Sequence, residues 1–149
     1  MSLSTRPFLV IEAEVGPPVT YGDAGEGVRR CIPITGGRVS GDLTGEVLPG
    51  ADWQSMLPDG TIELSAHYGL RTTDGLRVEV TSTGLRAAPP EVMARLAAGE
   101  AVDRDLYYFR TVMRFRTGAE ALRRLNTVMA ISVGERMATG VRLEVFEVL

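Results

Sequence analysis

The sequence predicts an all-β fold with two short helices: a mostly meandering antiparallel β-barrel of about nine or ten strands. Three observations carry the prediction. Apolar residues recur at every second position in one segment after another, which is the period of a strand with one buried face. Asp-Gly dipeptides and other Gly- and Pro-containing turns separate those segments at short intervals. The strand–helix–strand alternation of a parallel α/β sheet is missing, which leaves a barrel or sandwich. A chain of 149 residues suits one well-buried core and is short for two, so a single domain over residues 1–149 is expected.

The elements follow in order. Residues 7–15 form a strand with Leu9, Ile11, Ala13 and Val15 on one face, ended by Gly16-Pro17-Pro18. Residues 21–27, rich in Gly and acid, read as a loop. Residues 28–35 make a short strand that ends at Gly36-Gly37, and residues 38–48 make another, in which Gly41 and Gly45 mark bends or close backbone approach. Pro49-Gly50 turns the chain into a strand over 52–57. Pro58-Asp59-Gly60 is a hairpin signal leading into 61–73, and Asp74-Gly75 is a second one leading into 76–82. Pro89-Pro90, Glu91 in the first turn and Gly99 beyond the last turn delimit a helix over 89–98. Thr117-Gly118-Ala119-Glu120 matches a capping box before a second helix at 121–125. Residues 105–116, 127–136 and 141–149 are three further strands.

Composition excludes whole classes of function. All 16 basic residues are arginine, so Schiff-base chemistry, pyridoxal chemistry and a P-loop, each of which needs a lysine amine, are removed. One histidine, His67, and one cysteine, Cys31, exclude a zinc site built from several Cys and His ligands; a metal held by carboxylates plus His67 stays open, but no H-x-x-x-H spacing supports it, so no metal is expected. No Rossmann fingerprint and no nucleophile elbow occur, so no organic cofactor is expected. A net charge of −3 argues against nucleic-acid binding and against attraction to an anionic membrane, and no apolar run approaches the ~20 residues of a membrane helix. The first residues lack the features of a signal peptide, and the lone cysteine cannot form an internal disulfide, so a cytoplasmic location is expected. The expected partner is a small molecule, and exposed strand edges favour self-association as a homo-oligomer.

Several segments occur together in order: Arg30-Cys31-Ile32-Pro33-Ile34-Thr35-Gly36-Gly37, Leu48-Pro49-Gly50-Ala51-Asp52-Trp53-Gln54, Asp59-Gly60, Thr73-Asp74-Gly75, Tyr107-Tyr108-Phe109-Arg110-Thr111 and Leu125-Asn126. With them the chain resembles, from about Phe8 to Leu149, a family of small bacterial proteins known only as a domain of unknown function. That family's pattern runs P-I-T-G-G, G-G-A-D-W, D-G, D-A-R-Y, Y-Y-F-R-T and W-L-N. The resemblance implies an antiparallel barrel-like fold and no particular reaction. The chain departs from the pattern where Pro49 replaces a glycine before Gly50, where D-A-R-Y becomes Ser65-Ala66-His67-Tyr68, and where Arg124 replaces the aromatic of W-L-N. A change of substrate or activity is the expected consequence.

Candidate site residues each carry two readings. Asp52, beside Trp53 at a strand start, is either a carboxylate with a raised pKa fit for general acid or base work, or the cap of the Pro-Gly turn with Trp53 in the core. Tyr108 and Arg110 share one strand face, opposite an apolar face of Tyr107, Phe109, Met113 and Phe115. They either line a pocket, as proton donor and as clamp on a carboxylate or enolate oxygen, or belong to a surface ladder with Arg114 and Arg116. Asn126 either donates to a ligand carbonyl or closes the second helix. His67 lies on the polar face of its strand with Glu63, Ser65 and Arg71. His67 is then either simply exposed on an outward face or, since counting outward from a two-residue turn pairs position 52 with about 67, a general base beside Asp52 in a polar pocket; a shift of one residue would turn it to the other face. Cys31 reads as a small buried hydrophobe.

Asp52, His67 and Tyr108 are therefore the candidate catalytic residues, and Trp53, Arg110 and Asn126 the candidate binding residues. The expected function is proton-transfer chemistry beside a carbonyl, as in an isomerase, cyclase or lyase, on a small molecule in the barrel pocket. The alternatives are a barrel that binds a small molecule without turnover and an oligomeric structural protein.

Overall fold

The computed structural model describes residues Met1–Leu149. Its nine strands are β1 (Leu9–Val15), β2 (Val19–Asp23), β3 (Val28–Gly41), β4 (Gly45–Met56), β5 (Ile62–Thr72), β6 (Arg77–Ala87), β7 (Tyr108–Arg116), β8 (Met129–Arg136) and β9 (Gly140–Glu147). Helix α1 (Pro90–Ala97) lies between β6 and β7, and short 3-10 segments occupy Arg104–Leu106 and Glu120–Thr127. From β3 to β9 each strand pairs antiparallel with the next, as the turn signals predict. β1 then pairs with β3 on one edge and with β9 on the other. Eight strands thus form a closed antiparallel barrel, and β2 adds a ninth alongside the first residues of β3.

Strand alternation sends one set of side chains into the lumen. β5 is the clearest case: Ile62, Leu64, Ala66, Tyr68 and Leu70 are buried, while Glu63, Ser65, His67 and Arg71 between them are not. One end of the lumen is filled by Leu9, Val47, Leu70, Val78, Phe115 and Val145, with Leu125 of the second 3-10 segment over it. The other end is bordered by α1, which begins at Pro89-Pro90 and is followed by Gly99 at φ 78°, a left-handed conformation that favours glycine. Val92 and Leu96 of α1 are buried against the barrel. No helix is long and apolar enough to cross a membrane.

Four local expectations are corrected. Val19–Asp23, partly expected as loop, is β2. The two strands expected on either side of Gly36-Gly37 are one strand, because the glycine pair is a bend within β3 rather than a turn. A Cβ on Gly37 would lie 2.0 Å from the Glu12 carbonyl oxygen, so only glycine lets β1 come that close. Pro49-Gly50 is likewise a bulge inside β4, not a turn before it. The second helix is 3-10 in form with no side-chain cap; the Thr117 hydroxyl instead accepts from the Ala119 amide.

Gly134 of β8 shows how tightly the wall is packed, since a Cβ there would lie 2.6 Å from the ring of buried Phe109. Gly134→Ala is expected to cost about 1–3 kcal/mol by overpacking. Urea unfolding should show a lower midpoint at unchanged slope, and the loss should shrink when Phe109→Leu is added.

Candidate functional site

The open half of the lumen is a cavity of about 540 Å³. Its wall is mostly apolar, with Ile32, Ile34, Leu64, Phe109 and Leu143 from the barrel and Met93 from α1. Into this wall are set Arg30, Asp52, Gln54, Tyr68, Arg86 and Arg136.

Local backbone structure puts these groups inside. On β3, Arg30 falls in step with Ile32 and Ile34, and on β6 Arg86 continues the inward series Val78, Val80 and Ser82. On β4 the bulge decides which residue enters. Val47 points inward, and uninterrupted alternation from it would turn Trp53 inward. The extra residue between Leu48, opposite Gly69, and Ala51, opposite His67, reverses the phase. Asp52, Gln54 and Met56 line the cavity instead, and Trp53 stands outside. Gly50 permits this, because a Cβ there would meet the His67 carbonyl oxygen at 2.2 Å.

The polar groups form a chain that ends in unpaired atoms. Arg30 Nε donates to Gln54 Oε1 at 2.8 Å, and Gln54 Nε2 donates to Asp52 Oδ2 at 2.7 Å. Asp52 Oδ1, the Tyr68 hydroxyl and Arg86 Nε are buried without any hydrogen-bond partner. Three buried orphans along one cavity are uncommon, since each costs about 1–3 kcal/mol of unrecovered desolvation. Burial pushes the Asp52 carboxyl above the ordinary carboxylate range, outweighing the Gln54 hydrogen bond and the fields of Arg86 and Arg30. Burial, together with the Asp52 charge, also raises the Tyr68 phenol, so it stays neutral. The Arg86 guanidinium is only 5% exposed. Burial, then repulsion from Arg136 and Arg30, brings it down to about 10. Burial and Arg136 lower Arg30 as well.

This arrangement can hold a proton on a carboxyl, offer a neutral phenol and present a guanidinium to a developing negative charge, all beside an apolar surface. No group of three or more His, Cys, Asp or Glu side chains comes together as a set of metal ligands.

Of the residues singled out from the sequence, Asp52 lines the cavity and the others do not. The expected Asp52–His67 contact is not formed. The β4–β5 connection is five residues, Leu57–Thr61, rather than two, so Asp52 pairs with Ala66 and His67 turns outward. There the His67 side chain, 63% exposed, meets Glu79 at 2.6 Å. Tyr108 and Arg110 lie on the outer face of β7, the guanidinium over the Tyr108 ring at 5.0 Å, because the aromatic face of that strand fills the lumen. Trp53 stacks outside against Tyr21, with Arg29 over its ring. Asn126 fastens the 3-10 segment, accepting from the Thr117 amide and donating to the Thr117 carbonyl. Arg30, Gln54, Tyr68, Arg86 and Arg136 were not among the candidates. Their signal is a polar side chain in the inward phase of an otherwise apolar strand.

The chain is similar to known proteins in sequence and, where structures are solved, in fold. A UPF0311 protein of Bradyrhizobium diazoefficiens is 44% identical over 149 residues, covering 99% of this chain and 98% of its own. The crystal structure of a conserved protein of unknown function from Rhodopseudomonas palustris superposes with a TM-score of 0.91 at 39% identity, over 100% of this chain and 99% of that one. A hydroalkoxylation enzyme of Penicillium herquei is 32% identical over 69 residues, 46% of either chain. The crystal structure of an enzyme from the same fungus shares the fold, with a TM-score of 0.70 at 23% identity over 100% of this chain and 99% of that one. The family model described as "Protein of unknown function (DUF3237)" matches residues 3–148, and the chain belongs to that family.

Proposed function

We propose that the chain is an enzyme that needs no organic cofactor and transfers protons beside a carbonyl of a small, largely apolar molecule held in the barrel lumen. The observation that carries this reading is the convergence on one largely apolar cavity of three buried groups, Asp52, Tyr68 and Arg86, each with a polar atom that has no partner. A barrel serving only as structure has no use for that cost, and a purely apolar binding barrel has no use for a carboxyl held above its ordinary range.

Asp52 is the group that carries the proton. Burial brings its carboxyl closer to neutral pH, where a general acid or base works best. Arg86, with the Tyr68 phenol, faces the oxygen on which negative charge develops.

Within this class we favour ring closure by addition of a hydroxyl across a C=C bond conjugated to the carbonyl. The partial relationship to a hydroalkoxylation enzyme supports that choice, since hydroalkoxylation adds an O–H across a C=C bond. The Asp52 carboxylate takes the hydroxyl proton as oxygen bonds to the β-carbon. The π electrons move to the carbonyl oxygen, which becomes an enolate against Arg86. Asp52 then returns the proton to the α-carbon, and the carbonyl reforms.

The test substrate is 2′-hydroxychalcone, whose closure to flavanone is followed by absorbance. The wild-type chain is expected to exceed the buffer rate, and Asp52→Asn to lower the enzymatic part by about 10²–10⁴-fold. A wild-type rate equal to buffer, or equal rates for the two proteins, would count against the reading.

A second prediction follows from the raised Asp52 carboxyl. The native state holds this proton more tightly than the unfolded chain, so the associated stability is fully present below the ordinary carboxylate value. It is lost as pH rises through the raised folded value. Asp52→Asn lacks this titration. Thermal melts should therefore show its Tm rising relative to wild type as pH climbs above the ordinary carboxylate value; a constant or shrinking difference would contradict the raised carboxyl.

A further inference from the structure

The lumen carries a charge imbalance. Most other arginines face acids: Arg38 meets Glu12, Arg71 meets Glu46, Arg104 meets Glu144 and Arg124 meets Glu147. None of the ion pairs includes Arg30, Arg86 or Arg136, yet these three line one cavity. Asp52 is the sole acidic side chain that lines the cavity with them. Three guanidiniums against one carboxylate leave the interior positive, and a buried charge without its counterpart costs several kcal/mol by order of magnitude.

Of the three arginines, Arg86 has the most confined geometry. Arg86 is almost fully buried, its Nε has no acceptor, and its guanidinium lies 5.8 Å from the Phe109 ring centroid. The ring thus borders the guanidinium on one side. Arg30 has its Nε committed to Gln54. Arg136 approaches from β8, held by its backbone amide donating to the Tyr107 hydroxyl at 2.8 Å. Around these cations the wall is aliphatic and aromatic.

Resting on the reading of this lumen as the working site, we propose that its ligand is an organic anion: an apolar body bearing one ionised oxygen group, carboxylate or enolate, seated on Arg86 with Arg30 and Arg136 around it. A planar guanidinium with a free edge suits such an oxygen group better than it suits a neutral carbonyl. The aliphatic wall takes up the carbon skeleton and excludes small inorganic anions that bury no apolar surface.

The experiment is calorimetric binding of three matched probes to the full chain at neutral pH: 2-naphthoate, the ionised enol 2-hydroxy-1,4-naphthoquinone, and neutral 2-naphthamide. At least one anion is expected to bind about tenfold or more tightly than the amide, equivalent to about 1.4 kcal/mol. Which of the two it is separates carboxylate from enolate recognition. Arg86→Gln should abolish the preference. If that variant does not fold, Arg136→Gln at the less buried position serves in its place and should reduce it severalfold. Asp52→Asn should keep the preference, because removing a negative charge from the cavity does not weaken an anion's hold on arginine. Equal or weaker binding of both anions overturns the proposal, as does a preference that survives the arginine substitution or one that disappears with Asp52→Asn. None of these results depends on turnover, so absence of ring closure with anion preference intact would reject the reaction and retain the ligand class.

Discussion

β1 hydrogen-bonds along both of its edges, to β3 from Leu9 to Val15 and to β9 from Leu9 to Glu14, and these two ladders turn a meander into a cylinder. Everything chemical about the molecule follows from that closure. An open sheet would leave Asp52 and Arg86 on a face that water can reach. Closure makes that face an interior, and the interior is what pushes the carboxyl up and the guanidinium down. Closure also demands close backbone approach at a few places, and glycine supplies it. Gly37 lies against Glu12 and Gly140 against Ala13, each where a Cβ would fall about 2 Å or less from a carbonyl oxygen.

The lumen is divided along its length. One end is packed solid with aliphatic and aromatic side chains, which carry the burial that stabilises the fold. The other end is left hollow and polar at selected points, at a cost the packed end can offset. Phe109 joins the two functions. Its ring lies against Gly134 of the wall and also borders the Arg86 guanidinium, so the packed wall and the cation share one side chain. A hydroxyl pair, Thr111 and Ser132 at 2.6 Å, satisfies the neighbouring buried oxygens without adding charge.

Much of this was legible from the residues. Alternation with period two, the Asp59-Gly60 and Asp74-Gly75 turns and the start and stop signals of α1 all act locally, and each of the corresponding elements is present. Phase was harder to read. A bulge or an odd loop adds one residue, and one residue reverses every side chain beyond it. Pro49-Gly50 looks like a turn in isolation. Only the partner strand, whose His67 carbonyl approaches Gly50, makes it a bulge that turns Asp52 inward and Trp53 outward. The same limit explains His67: the count from a two-residue turn was one position out, enough to move an imidazole from lumen to surface. Arg86 was hidden for another reason. β6 continues to Ala87, five residues beyond the stretch that alternates with apolar partners up to Ser82, and an arginine in that extension looks like surface until closure shows what it faces.

The two roles argued for the lumen reinforce each other electrostatically. An anion seated on Arg86 places a second negative charge near Asp52 and engages part of the positive field that favours the carboxylate. Both effects push the Asp52 carboxyl further up, so once an enolate lies on Arg86 the carboxyl that took the hydroxyl proton is the better able to return it to the α-carbon. The same anion offsets the positive charge around Arg86, whose guanidinium is held down by burial and by its two arginine neighbours. On this proposal a bound anion stabilises the charged form of Arg86, which grips it, and the neutral form of Asp52, which acts on it. A site with more acids would neutralise the arginines from within and lose this coupling, which gives a physical reason for a single carboxylate among three arginines.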